Sequence, residues 1–367
     1  MSQSTSLSRI VGNPTANAES RESTALLVGA AGFIVGVVPA LFIFWGREVP
    51  ISGRGSLGDL AAVGSAIAAL LAFLYGAVLR GAQQVPAPGW RRLRWFDVAA
   101  LCLAHAIIAL LGWVALAAVF SAGFAGASLY STSAAVLAAV TMAISAYAAF
   151  LSAVNLTPML LSLVLAGFLV VGSLASMLSS TDPLWWQKNL STLGISDDIS
   201  ALAFNVTLVI AGVMVTTVAH YATIWLPTTT RVELRGRNLV RLALIVMGIL
   251  LACVGIFPVD ENLEIHNLSA TGMAIIYVVM VLSLRALVPS MPRVFLVLGY
   301  VFVAVIVVLA TFFINGYYNL TAVELIAFVL IFAWIIVFLR TTGSLQAVAA
   351  ATVVSADSTV DADLQPK

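Results

Sequence analysis

"SAGFAGASLYSTSAAVLAAVTMAISAYAAFLSAVNLTP", residues Ser121 to Pro158, decides how this chain is folded. It sits inside an eighty-four-residue stretch, Val98 to Thr181, that contains no Asp, Glu, Lys or Arg. A stretch so long and so apolar crosses a bilayer, because about twenty apolar residues suffice for one helical span. Two places inside it break a helix. The first is the Gly/Ser-rich "SAGFAGASLYS", and the second is "VNLTP", where Pro158 suits the first turn of a new helix. Three spans fit the uncharged stretch.

The rest of the sequence agrees with this class. Only 9% of the 367 residues are charged and 62% are hydrophobic, whereas a soluble domain is about one quarter charged. The apolar runs are helix-length and rich in Ala, Val, Leu and Gly, without the alternation of a membrane barrel strand. The expected fold is therefore all-α, a polytopic integral membrane helix bundle. Ten spans are predicted: 25–45, 57–79, 96–120, 132–154, 157–179, 199–226, 242–257, 268–287, 294–313 and 321–339. A disordered N-terminus over 1–23, a four-helix segment over 24–155, a six-helix domain over 156–340 and a disordered, mildly acidic tail over 341–367 make up the expected organisation. The run after Ser23 is too long for a secretory signal and is read as a retained first helix.

Arginine placement sets the expected orientation, because cytoplasmic loops are enriched in Arg and Lys. With ten spans and the N-terminus inside, the cytoplasmic side collects fourteen of the seventeen basic residues, among them the four arginines of "RVELRGRNLVR". The outer side keeps Arg47, Arg54 and Lys188. Splitting the uncharged stretch into two or four spans would put those four arginines outside. Both termini are accordingly expected in the cytoplasm, and the abundance of Arg and Ala suggests a bacterial plasma-membrane protein. A net charge of +1, with no basic stripe, argues against a nucleic-acid partner. The two cysteines, Cys102 and Cys253, fall inside apolar runs and read as packing residues. No cofactor and no metal are expected.

The loops on the outer side carry the candidate chemistry. In "TDPLWWQKNLSTLGISDD", Asp182 can cap a short helix that starts at Pro183 and ends at Gly194. Trp186, Leu190 and Leu193 would share one face and lie flat in the headgroup layer, where Trp is favoured. Alternatively, Trp185, Trp186, Lys188 and Asn189 form a lid over a headgroup-sized site. Asn205, about two turns into span six, is either interhelical glue or the floor of a pocket. The loop "GIFPVDENLEIHNLSATG" holds His266 with Asp260, Glu261 and Glu264 close by. These could bind a cation or form a general base oriented by an acid, although the spacing matches no zinc signature and Asn267 can cap span eight. Glu324 stands in "TAVE", a capping box for span ten. Within the spans, His105 has no acidic partner and reads as helix-to-helix glue. Gly32 and Gly36 in "GAAGFIVG" form a GxxxG surface, either an internal seam or a homo- or hetero-oligomer contact.

The region from about Pro158 to Arg340 resembles the bacterial domain-of-unknown-function relatives of the DRAM (damage-regulated autophagy modulator) and FRAG/PGAP-like membrane proteins. The likeness lies in "NLSTLG" (Asn189 to Gly194), "FNVTLVIAG" (Phe204 to Gly212), "GIFPVD" (Gly255 to Asp260) and Ile265–His266. It implies a six-helix domain with both termini inside and no defined catalytic chemistry, and it favours lipid handling. The four N-terminal spans depart from it.

The leading expectation is lipid or envelope-precursor handling through an outward polar pocket of Asp182, Trp185, Trp186, Lys188, Asn189, Asn205, Asp260, Glu264 and His266, with membrane lipids as partners. The alternatives are an outer-leaflet hydrolase or acyltransferase using His266 with Asp260 or Glu264 and a nucleophile such as Ser191, a small-molecule transporter, or a scaffold subunit.

Overall fold

The structure, a computed structural model, describes residues 14, 17–82, 94–195, 199–224, 226, 228 and 230–363, with side chains as far as 343. Among them are ten helices long and apolar enough to cross a membrane. They are α1 (Ala18–Phe44), α2 (Leu57–Ala82), α3 (Trp95–Gly123), α4 (Ser131–Val154), α5 (Pro158–Ser179), α6 (Ile199–Thr223), α7 (Arg231–Ile256), α8 (Leu263–Leu287), α9 (Arg293–Ile314) and α10 (Leu320–Asp363). Even the 22-residue α5 and α9 reach about 33 Å at 1.5 Å per residue, enough for a hydrocarbon core of about 30 Å. The chain is a multi-pass, all-α membrane protein.

The uncharged stretch forms three helices, α3, α4 and α5. Its first break contains Gly126 at φ +75°, a left-handed turn that glycine adopts without strain, and a two-residue strand, Ser128–Leu129, paired antiparallel with Val49–Pro50. At the second break Thr157 caps α5 by accepting from the Leu160 amide at 3.1 Å, with Pro158 in the first turn.

Several expected boundaries move. α7 starts at Arg231 rather than 242, because Thr230 and Glu233 form a reciprocal capping box ahead of the arginines. α8 starts at Leu263 rather than 268. Asn262, not Asn267, is its cap, accepting from the Ile265 amide at 3.0 Å, so His266 lies in the first helical turn and not in a loop. α10 is capped by Asn319, which accepts from the Ala322 amide at 3.0 Å, so the box expected from Thr321 and Glu324 does not form. α10 also runs on to Asp363, into the segment where composition predicts a disordered tail. Of the expected disordered N-terminus, residues 1–13 lie outside the described residues and α1 begins at Ala18.

Two compact units emerge: residues up to Leu156 with Gly167–Ser179, and Thr157–Ala166 with the chain from Ser180 onward. In the first unit α4 is the centre, its Ala134, Ala135, Ala138 and Ala139 fully buried. The glycine face of α1 packs on it: a Cβ added at Gly32 would stand 3.3 Å from the Ala146 Cβ. The GxxxG surface is thus an internal seam between α1 and α4.

In the second unit α6 and α7 cross at glycine. A Cβ on Gly212 would come within 2.4 Å of the Gly248 carbonyl oxygen, and one on Gly255 within 2.5 Å of that of Asn205. α8, α9 and α10 meet around Trp334, which is fully buried, with Tyr277, Phe295 and Phe338 packed about it at ring separations of 5.1–5.7 Å.

Candidate functional site

The nine residues of the expected outward pocket lie in the second unit, at the end where α6, α8 and α10 begin. The segment between α5 and α6 is not one short helix. It forms two 3-10 turns, Trp185–Gln187 and Leu190–Gly194, broken at Lys188–Asn189. The physical reason is visible in the side chains. Leu190 and Leu193 are buried while Trp186 is 49% exposed, so the three do not share a face, and the chain must re-aim between them. Asp182 spends one carboxylate oxygen on the Leu184 amide at 2.9 Å and the other on Lys188 Nζ at 3.0 Å. The Leu184 amide and then the Lys188 ammonium hold the Asp182 carboxyl below the usual carboxylate range.

This segment is pinned to the helices beneath it. Asn319 Nδ2 donates to the Trp186 carbonyl at 2.9 Å. Glu324 Oε2 accepts from the Leu190 amide at 2.6 Å, which replaces the capping role expected of that glutamate. Asn205 Nδ2 donates to the Gly194 carbonyl at 3.1 Å, and Thr192 donates to Asn189 Oδ1 at 3.0 Å. Gly194 lets the chain pass close to α6, since a Cβ would meet Asn205 Oδ1 at 2.6 Å unless that side chain shifted. The irregular backbone thereby finds protein partners in place of the repetitive bonds of a helix.

The fourth tie is His266. Its Nε2 lies 2.8 Å from Ser191 Oγ and its Nδ1 2.9 Å from the carbonyl oxygen of Phe257, the residue that ends α7. A carbonyl can only accept, so Nδ1 carries a proton and, in the neutral ring, Nε2 accepts from the Ser191 hydroxyl. This is the relation of a nucleophile to its base, with a backbone carbonyl as the orienting group. His266 is 3% exposed and Ser191 half-buried.

The carboxylates expected beside His266 are not there. Asp260 and Glu264 are exposed, and both ring nitrogens are taken by other partners. The Phe257 carbonyl, left without a helical partner at the end of α7, takes the ring nitrogen that an acid was expected to orient. Among the described residues no group of three or more His, Cys, Asp or Glu comes together to hold a metal. The structure therefore brings Asp182 to Lys188, Asn205 to Gly194, Asn189 to Thr192 and His266 to Ser191, and leaves Trp185 half-buried and Trp186 exposed above them. Sequence reasoning missed Asn319 and Glu324 as ties; their position at the start of a helix opening on the same end as α6 and α8 was the available signal.

The first unit contains a separate feature, an apolar cavity of about 490 Å³ lined by residues including Leu57, Trp113, Phe120, Leu129 and Val140. None of the nine candidate residues lines it. The same unit holds a second histidine–serine bond: His105 Nε2 lies 2.8 Å from Ser152 Oγ, and Nδ1 2.8 Å from the Leu101 carbonyl in its own helix.

No curated protein and no solved structure matches the chain. Residues 163–341, beginning inside α5 and ending in α10, match the family model described as "Protein of unknown function (DUF998)".

Proposed function

We propose that this protein handles lipids or lipid-linked envelope precursors at the end of its second unit where α6, α8 and α10 begin, and that it does so in a bacterial plasma membrane with that end outward. One observation carries the reading. The Asp182–Gly194 segment is fastened through its backbone and Ser191, while Leu184, Trp186 and Lys188, within five residues of chain, keep their side chains exposed. Such a surface suits an amphiphile: the indole and leucine meet acyl or glycerol carbons, and the ammonium, 62% exposed, meets a phosphate. The arginine bias supports the orientation, and the likeness to DRAM/FRAG/PGAP-like proteins supports lipid as the partner. Lys188→Ala tests the reading. The variant, folded as the wild type, should co-purify with several-fold less of one phospholipid class by native mass spectrometry; unchanged lipid content rejects it.

A second reading is favoured by the 2.8 Å bond between Ser191 and His266. In an acyl transfer the Ser191 proton would pass to Nε2 as the oxygen attacks an ester carbonyl, and the departing alcohol would take that proton back. A fluorophosphonate probe should then label Ser191 in the wild type, not in Ser191→Ala, and far more slowly in His266→Gln. Absence of labelling in folded wild type removes this reading and leaves the first intact.

A further inference from the structure

The opposite end of the second unit is built from arginine. α7 opens with Arg231, Arg235, Arg237 and Arg241, α8 closes with Arg285, α9 opens with Arg293, and Arg340 stands near the end of the apolar part of α10. Two tight contacts show that these belong to one end. A Cβ on Gly236 would lie 1.8 Å from the Leu287 carbonyl oxygen, so Arg235 and Arg237 flank the point where α7 meets the end of α8, two residues from Arg285. The rings of Phe295 and Phe338 stand 5.9 Å apart, each two residues from an arginine, Arg293 and Arg340.

The acid on this surface is engaged elsewhere. Glu233 accepts from the Thr230 amide at 3.1 Å to close the cap of α7. Arg231, Arg235, Arg285, Arg293 and Arg340 are exposed, and none of the five forms an ion pair among the described residues. Arg237 has a buried Nε without a hydrogen-bond partner. Five exposed guanidinium groups from four helices, at or near the ends of their apolar segments, present planar donor pairs that match phosphate oxygens two at a time. A basic surface there lies against the headgroups of the surrounding leaflet, whose acidic members supply the missing charge.

We infer that this arginine-rich end is a binding surface for acidic phospholipids, whose phosphates bridge α7, α8 and α9. The inference does not rest on the role given to the Trp186 turn at the other end. Its test uses the full chain in detergent, titrated with dioleoylphosphatidylglycerol or dioleoylphosphatidylcholine and read by native mass spectrometry. The wild type should retain the acidic lipid at least several-fold better than the zwitterionic one, and the preference should shrink as salt is raised. Arg235→Gln/Arg285→Gln/Arg293→Gln should lose most of the preference, and the matching triple Lys variant should keep part of it. Equal retention of the two lipids by the wild type overturns the inference, whether or not the Gln variant folds. An undiminished preference in a folded Gln variant overturns it as well.

Discussion

The two units each contain a histidine that bonds a backbone carbonyl through Nδ1 and a serine through Nε2, yet the bonds serve different ends. His105 stays within regular structure: its carbonyl partner, Leu101, is in its own helix α3, and Ser152 is on α4. Those backbones are already satisfied by their helices, so the bond adds helix-to-helix glue in lipid. His266 bonds the carbonyl of Phe257, which ends α7, and a serine in a 3-10 turn. It satisfies a group that a helix terminus leaves without a partner and fixes a segment with little repetitive structure of its own. The same chemistry is adhesive in mid-span and architectural at the end of the bundle. Ser152 is buried within α4, whereas Ser191 lies in a half-buried turn that follows exposed Leu184, Trp186 and Lys188, so of the two bonds only the second lies near exposed side chains.

Substitutions that strain the two units differently should separate these roles. The largest effect is expected at Gly236. Leu there would place Cβ 1.8 Å from the Leu287 carbonyl oxygen and destabilise the second unit by about 3 kcal/mol or more. Gly32→Ala in the α1–α4 seam, where the nearest atom is 3.3 Å away, should cost under about 1 kcal/mol. Unfolding in mixed SDS micelles measures both, and a larger cost at Gly32 would reverse the comparison of the seams.

Next comes the pair of histidine bonds. His266→Ala leaves the Phe257 carbonyl and the Ser191 hydroxyl without partners and should cost about 2–3 kcal/mol, with faster amide exchange over residues 184–194. Ser152→Ala should cost about 0.6 kcal/mol, as interhelical bonds in lipid do, with exchange unaltered beyond α3 and α4. Equal exchange patterns in the two variants would mean that the bonds do the same job.

The smallest effect concerns Asp182. Its folded carboxyl titrates below the ordinary value, so its favourable contacts are complete above the unfolded value and are lost as pH falls through the lowered folded one. Carbon-detected NMR of the Asp182 carboxyl should show that low midpoint, moving upward in Lys188→Ala. Because the pair is exposed, the melting temperature near neutral pH should not move.

Much of the architecture was legible in the sequence because the bilayer sets a simple length rule. Three helices in the uncharged stretch followed from a glycine-rich break and from Pro158. Helix starts were less legible, since α7 begins on arginines and α8 on Leu-Glu-Ile-His, both too polar for a hydropathy reading to include; the caps at Thr230 and Asn262 settle them. At the site, His266 and Ser191 were recognisable as residue types, but the orienting partner was not. A backbone carbonyl carries no sequence signature, so the sequence points to Asp260 and Glu264 instead. Glu324 was readable as a cap because its spacing to Thr321 fits one; its bond to the Leu190 amide spans 134 positions and no local pattern announces it.

On the proposed function, the pinned turn of the second unit engages lipid more than exposed apolar surface in general does. The Phe124–Tyr130 connection of the first unit is the built-in control, since Phe124 and Tyr130 are also highly exposed but lie beside no lysine. Photoreactive phospholipid in reconstituted bilayers, with adducts located by peptide mass spectrometry, tests this directly. Adducts at Leu184–Lys188 should exceed those at Phe124–Tyr130 several-fold and fall to the same level in Lys188→Ala. Equal labelling of the two connections in the wild type would mean that the pinned turn has no particular affinity for lipid.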